Sequence, residues 1–357
     1  MSTLLKPTIV IDMGSGETKA GLAENEYPSC TIPTALSSCD DTYNFGEEAL
    51  ERDRFTYPIQ HGIVQNFDYV EKLFEHILVS QLRVSPAEHP VLLNQCPKNP
   101  QRDKEKLAEL MFEKFDVPAV YEEINSVLTF YSSGRPAGLI VESGHGVTSV
   151  VPILSGYAIS EAIMRLDVGG GDLDKYLVKL LSEKGYENIR PEEAQKIKEN
   201  LCFIPEKDRE YHDVENYLLP DGRDLVLEKE KYHCTDPLFN PALVEQYDTP
   251  GIHEMVFQSI FKCGLDLRRD FANNIILSGG NTLFNGFENR LKLEVEAKVP
   301  ASMKVDVIAD KDRKVFVWRG GSILGSLSTF YKNICITKGE YEEYGMSAVR
   351  KRCNRGI

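Results

Sequence analysis

The 357-residue sequence has no Cys-x-x-Cys pair, no apolar run long enough to span a bilayer and no low-complexity stretch. Its eight cysteines (Cys30, Cys39, Cys96, Cys202, Cys234, Cys263, Cys335, Cys353) are scattered, which fits neither a zinc cage nor a dense disulfide framework. Reduced thiols in the cytoplasm or nucleus are therefore expected. Positive charge is also scarce: 41 Lys and Arg stand against 55 Asp and Glu, a net charge of −14. That balance argues against nucleic acid and against acidic membranes, but leaves room for a protein partner with a basic patch. The start, Met1-Ser-Thr-Leu-Leu-Lys-Pro7, lacks a basic region followed by a long apolar stretch, so neither a secretory signal nor membrane insertion is expected. What remains, 42% hydrophobic and 27% charged, is the composition of an ordinary soluble globule. The chain is longer than one core usually grows, so two lobes are expected. With no linker between them, they should meet through short crossings.

The most informative stretch is Thr8 to Gly21, TIVIDMGSGETKAG. A β-branched run, Thr8-Ile-Val-Ile11, reads as a buried strand that ends at Asp12. Gly14 and Gly16 follow at once, and glycines two apart allow φ > 0 and successive N–H groups aimed at an anion. Ser15 lies between them, Lys19 adds a fixed positive charge, and Asp12 can hold a hydrated Mg²⁺ at one remove. Read alone, the stretch is equally a plain hairpin. A second segment, Gly138-Leu-Ile-Val141 followed by Glu142-Ser-Gly144-His-Gly146-Val-Thr148, repeats the pattern acid-x-Gly-x-Gly-x-Thr in register. Two units of one pattern suggest two related halves that clamp one polyphosphate.

The rest of the chain alternates strands and helices. Ser37 to Asn44 has turn chemistry and reads as an exposed hairpin tip or loop. Phe67 to Leu82 has helical periodicity, Pro90 to Leu93 is a candidate buried strand, and Pro100 to Phe115 is a charged helix with one apolar side. A strand at Pro118–Tyr121 and a helix at Ile124–Tyr131 lead to Gly134-Arg-Pro136. In the second half, Thr148 to Ile153 pairs with Gly156 to Ile159, and Asp172 is placed to cap a helix running through Leu181. Glu192 to Leu201 reads as a helix, Tyr217 to Lys231 as a hairpin about Pro220-Asp-Gly222, and Ile252 to Lys262 as a helix. Asn274 to Leu277 is a strand that enters Ser278-Gly-Gly-Asn-Thr282, and Trp318 to Phe330 reads as a glycine-punctuated apolar helix.

Several segments, in order, resemble the actin and actin-related family: IDMGSGETKAGLA, YPIQHGIVQNFD, LRVSPAEHPVLL, MFEKFDVPAVY, YSSGRPAGLIVESGHGVTSVVPI, RLDVGGGDL, YLLPDG, ILSGGNTLFNG and VWRGGSILGSLSTFY. The resemblance covers nearly the whole length. Heat-shock ATPase domains and sugar kinases share the two-loop architecture, but would not supply the His61 loop or the Trp318 to Phe330 end. It implies an actin-like ATPase fold with two lobes in four subdomains around a cleft holding ATP or ADP and Mg²⁺ or Ca²⁺. The subdomains would be 1–33, 58–132 and 316–357; a short 34–57; 133–168 and 249–315; and 169–248. Carried across, Asp12, Gly14, Ser15, Gly16 and Lys19 fall at the first phosphate loop, and Glu142, Gly144, His145 and Gly146 at the second. Asp12 and Glu142 would face the metal through water. Lys198 and Glu199 fall at ribose and base; Gly170, Gly280, Asn281, Leu283, Phe284 and Lys314 fall around the adenine. Leu283 and Phe284, judged singly, read equally well as ordinary core.

The departures from that family concern hydrolysis and assembly. Asn125 stands where actins have the glutamine that positions the attacking water, one methylene shorter, and a misplacement of about 1 Å can cost on the order of 10²-fold in rate. Ser149 replaces a histidine near that water, Glu142 an aspartate facing the metal, and His145 an aspartate beside the ribose. ATP is therefore expected to bind but to be hydrolysed slowly, at most. The segment between Ile32 and Tyr57 is shorter than in conventional actins and loses most of the loop that inserts into a filament neighbour. The receiving, barbed-face groove keeps its residue types: Tyr131, Gly134, Gly156, Tyr157, Leu324, Leu327 and Thr329. The loop Leu243 to Thr249 is polar at its tip, the N-terminus lacks the family's acidic run, and the basic end, Arg350 to Ile357, reads as a solvated tail. These features point to a subunit that caps, templates or scaffolds with actin or actin-related subunits in the cytoplasm or cytoskeleton. A polymerising, hydrolysing actin and a nuclear chromatin-remodelling subunit are the alternatives.

Overall fold

The computed structural model describes residues 6–39, 42–206, 212–244 and 249–352. The chain divides into two compact units: Met1–Ala137 with Ile153–Ser160 and Lys314–Ile357, and Gly138–Pro152 with Glu161–Arg313.

The first unit is built on a six-stranded sheet in the order Ile336–Thr337, Ala119–Ile124, Val91–Gln95, Ile9–Met13, Glu17–Leu22, Cys30–Pro33. Ile9–Met13 runs parallel to Val91–Gln95 and antiparallel to Glu17–Leu22. Strands covered on both faces are apolar in a run rather than alternating, as Ile9-Val-Ile11 is here, and all five residues of Ile9–Met13 are buried, Asp12 among them. The helix Phe67–Glu75 turns Val70, Leu73 and Phe74 onto this sheet, with Asn66 Oδ1 accepting from Tyr69 N at 3.1 Å as its N-cap. The helical register does not run unchanged to Leu82. From His76 to Gln81 the turns widen to π geometry, and the same widening occurs over Leu110–Lys114. Trp318, in the helix Phe316–Gly325, is wholly buried and donates its indole N–H to Val10 O at 3.1 Å.

The second unit carries a sheet in which Thr148–Leu154, Ala137–Ser143, Ile275–Ser278 and Val307–Ile308 follow one another, with Met164–Leu166 against Thr148–Leu154. Ala137–Ser143 runs parallel to Ile275–Ser278. In both sheets, then, the strand that ends in a glycine turn has a parallel neighbour on one side and its own continuation on the other. A separate core forms where the helices Gly170–Glu183 and Pro191–Leu201 meet the hairpin of Glu215–Leu218 and Asp224–Leu227, around Leu177, Leu181, Ile197 and Leu225. Asp172 is not the N-cap of its helix: Gly169 holds that position, and the Asp172 carboxylate reaches back to accept from Gly169 N at 3.0 Å.

Ser37 to Asn44 is a hairpin of Leu36–Cys39 and Thr42–Phe45, with residues 40 and 41 outside the described set. The tip of the 243–249 loop also lies outside it, as do residues 353–357 of the tail. Before that point the tail is docked, with Arg350 on Glu105 at 2.7 Å and Arg352 on Glu340 at 2.7 Å.

Candidate functional site

The two glycine turns are closed by the same bond. Gly14 N donates to Glu17 O at 3.1 Å, and Gly144 N donates to Val147 O at 2.9 Å. A hydroxyl pair braces each: Thr18 with Thr34 at 2.8 Å in the first, Ser143 with Thr148 at 2.8 Å in the second. The expectation of φ > 0 at these glycines is not met, for none of Gly14, Gly16, Gly144 and Gly146 is among the positive-φ residues. At Gly14 the requirement is space instead: a Cβ there would lie 2.5 Å from Glu17 O, inside the bond that closes the turn, whereas at Gly144 the nearest atom would be 3.9 Å away.

In the first turn the carbonyls face inward. Thr34 Oγ1 donates to Gly14 O at 2.7 Å, and Thr34 N donates to Gly16 O at 2.8 Å. Ser15 Oγ accepts from Gly62 N at 2.9 Å, and Asn99 Nδ2 donates to Gly62 O at 2.7 Å. Asp12 is 6% exposed. Burial pushes its carboxyl above the usual range, with Lys19 Nζ, 3.5 Å from Oδ2, pulling the other way. Its Oδ1 accepts from Asn94 Nδ2 at 2.7 Å. The same Asn94 amide nitrogen donates to Asn125 Oδ1 at 2.9 Å, while Asn94 Oδ1 accepts from Met13 N at 2.6 Å. Asn94 thus joins the acid, the strand end and the carboxamide expected to position water. Sequence reading missed it. The signal was present as two amides, Asn94-Gln95, closing an otherwise apolar strand at its carboxyl end, where α/β sheets hold their ligands.

Next to Asn94, Gln95 Nε2 donates to Glu122 Oε2 at 2.8 Å. Glu122 is 2% exposed, and burial raises its carboxyl to about 8, opposed by that hydrogen bond and by Lys104. Lys314 lies in this unit as well, with Nζ 3.0 Å from Glu17 Oε1.

In the second turn the backbone is held from the unit's own helices. Gly170 N donates to Gly144 O at 2.9 Å, Gly171 N to His145 O at 2.8 Å, and Asn281 Nδ2 to Gly144 O at 2.8 Å. The His145 ring lies over the start of the helix Gly170–Glu183. Its Nε2 is 2.7 Å from where a Cβ on Gly171 would stand, so a side chain at 171 would expel the ring. Gly146 is buried in the turn, and Ser149, 2% exposed, lies within the following strand opposite Arg165. Glu142 ends its strand half-buried, in register with Ser278.

Lys198 comes to Gly170, donating to its carbonyl at 2.8 Å, and pairs with Asp174 at 2.7 Å with both side chains almost wholly buried. Burial lifts Asp174 to about 6 although Lys198 pulls it down. Gly144, Gly170, Lys198 and Asn281 therefore come together. Glu199 instead faces solvent and accepts from Gln195 at 2.9 Å. Gly280 opens the short helix Gly280–Leu283, Leu283 is 41% exposed, and Phe284 packs on the core of the Gly170–Glu183 helix.

Of the groove residues, Tyr157 and Leu327 are 66% and 44% exposed, and Gly156 approaches the Tyr131 hydroxyl. Gly134 and Thr329 are exposed as well. Leu324 must be removed from that set: at 2% exposed it belongs to the inward face of its helix, in the core with Val10 and Leu92.

The family model described as actin matches residues 4–194 and 189–354. Matched over nearly its full length, and folded as mixed α/β units each of which carries an acid-headed glycine turn, the chain belongs to the actin family and has the actin-like ATPase fold.

Proposed function

We propose that this protein is an ATP-binding, actin-related subunit that hydrolyses its nucleotide slowly and works as a filament-associated, capping or scaffold component of a larger assembly. The hydrolytic part rests on one observation: the Asn125 carboxamide is 7% exposed and its oxygen is engaged by Asn94. A group that must aim a water is thus shorter than the family's glutamine and also tied to its neighbour.

The residues present fit a nucleotide with a divalent cation. Inward-turned carbonyls leave the N–H side of the first turn to meet phosphate, with Lys19 beside it. Among the described residues no group of three or more His, Cys, Asp and Glu forms a protein cage for a metal. Asp12, the acid at the head of the first turn, would hold Mg²⁺ or Ca²⁺ through water. Such a cation offsets phosphate charge. Asp12 would fix its place, Asn94 holds Asp12 at 2.7 Å, and Ser15 and Lys19 would orient the anion.

The assembly part is supported by the exposed Tyr157 and Leu327 together with the short hairpin of residues 36–45. A site in the cytoskeleton follows from this reading, with the nucleus as the setting if the partners are chromatin-remodelling subunits. The same exposed groove favours a second reading, a divergent polymerising actin. Phosphate release and sedimentation with Mg-ATP separate them. The first reading expects tight ATP binding, slow release and no long helical filaments in electron micrographs. Filament-stimulated release at the rate of muscle actin would overturn it.

A further inference from the structure

Glu17 lies at the exit of the first turn, where the strand Glu17–Leu22 begins, and its carboxylate reaches two lysines. Oε1 is 3.0 Å from Lys314 Nζ, and Oε2 is 3.9 Å from Lys19 Nζ. Lys19 also faces Asp12, at 3.5 Å. The turn itself has no use for this carboxylate. It is closed by the Glu17 main-chain carbonyl, and the strand pairs Glu17 with Pro33 through the backbone. Nor does a carboxylate suit an anion site: Asp12 and Glu17 cancel Lys19 and Lys314, so the loop offers phosphate no net positive charge of its own. What the geometry provides is a negative group that bridges the two cations and is 30% exposed, while the Lys19 side chain is 10% exposed.

We propose that Glu17 is an internal counter-anion, which holds Lys19 and Lys314 when no ligand is bound and yields Lys19 to the phosphate chain of a nucleoside polyphosphate on binding. This rests on the nucleotide-binding reading above and adds a regulator to it. The exchange weakens anion binding in proportion to the ligand's charge and makes affinity lean on the divalent cation that offsets that charge. Neutral parts of the ligand do not feel it.

The test compares the full chain with Glu17→Gln, which keeps the length and removes the charge. Calorimetry with Mg-ATP, inorganic tripolyphosphate and neutral adenosine should show both anions bound about tenfold tighter by the variant and adenosine unchanged. Equal anion affinity in the two proteins overturns the proposal, and so does an equal gain for adenosine, which marks a change of shape. A second readout needs no ligand: the rates at which an acylating reagent modifies Lys19 and Lys314, followed by mass spectrometry, should at least double in Glu17→Gln. Unchanged rates overturn the pairing. If neither protein binds ATP, the nucleotide reading fails. Tripolyphosphate affinity and the acylation rates then still decide whether Glu17 holds the lysines against phosphate.

Discussion

The two glycine turns share a closing bond and a hydroxyl brace, yet they are held in opposite ways. The first is held largely through side chains: the Thr34 hydroxyl takes Gly14 O while its backbone N–H takes Gly16 O, the Ser15 hydroxyl accepts from Gly62 N, and Asn94 takes the acid that heads the turn. The second is held by backbone, through Gly170 and Gly171 at the start of a helix, with Asn281 as the added side chain. Side-chain support can be retuned one residue at a time, whereas backbone support resists single substitutions. Accordingly the first turn is where this chain has gathered Glu17, Asn94 and the neighbouring Glu122.

The largest test falls on the second turn. Lys198→Met leaves Asp174 buried without its cation and should cost about 3–5 kcal/mol in urea unfolding. Adding Asp174→Leu should recover most of that loss. A small loss in the single variant would mean that Gly170 needs no side-chain anchor, which would widen the contrast between the two turns.

Next comes the first unit's buried acid. Glu122 keeps its proton to about pH 8, whereas an ordinary glutamate loses it near 4.5. Between those values the native state holds a proton that the unfolded chain has released, so stability falls as pH rises from about 4.5 to 8. Glu122→Gln should flatten that slope and add about 4 kcal/mol at pH 8, with no gain below pH 4.5. Thermal melts across that range check it.

Asn94→Ala should cost about 2–3 kcal/mol, since Met13 N and Asp12 Oδ1 both lose a buried partner. It should also weaken Mg-ATP binding more than any single substitution of Asn281, which shares its duty with Gly170. Equal losses would erase the distinction between the turns.

The smallest effect concerns rate. Asn125→Gln alone should raise phosphate release by less than about tenfold, because Asn94 still holds the carboxamide. Combined with Asn94→Ser it should rise by more than the product of the single effects, as coupled neighbours do. Strict multiplication of the single effects would show that Asn94 does not restrain residue 125.

Both turns were legible in the sequence because their signals are local: an acid, two glycines and a threonine within seven positions, each following an apolar strand. The helices Pro191–Leu201 and Ile252–Lys262 were legible from periodicity for the same reason. What could not be read were contacts between distant positions. Asn94 meets Asp12 across 82 positions, and Lys314 meets Glu17 across 297. Leu324 was misplaced because residue type alone does not say which face of an apolar helix is covered. The widened turns at His76–Gln81 and Leu110–Lys114 were hidden because α and π turns draw on the same apolar spacing over so short a span.

The Asn94 contacts have a directional consequence. Met13 N–H can only donate, so it must meet an oxygen, and that fixes which end of the Asn94 amide faces the strand. The NH₂ end is then left for Asp12 and Asn125, and Asn125 must offer its own oxygen in return. Its NH₂ end is thereby turned toward Cys96, 3.7 Å away at the sulfur. One backbone proton therefore sets the polarity of two side-chain amides in succession. An aspartate at position 94, though the same shape, would reverse the sense of the chain and set two carboxylates against each other.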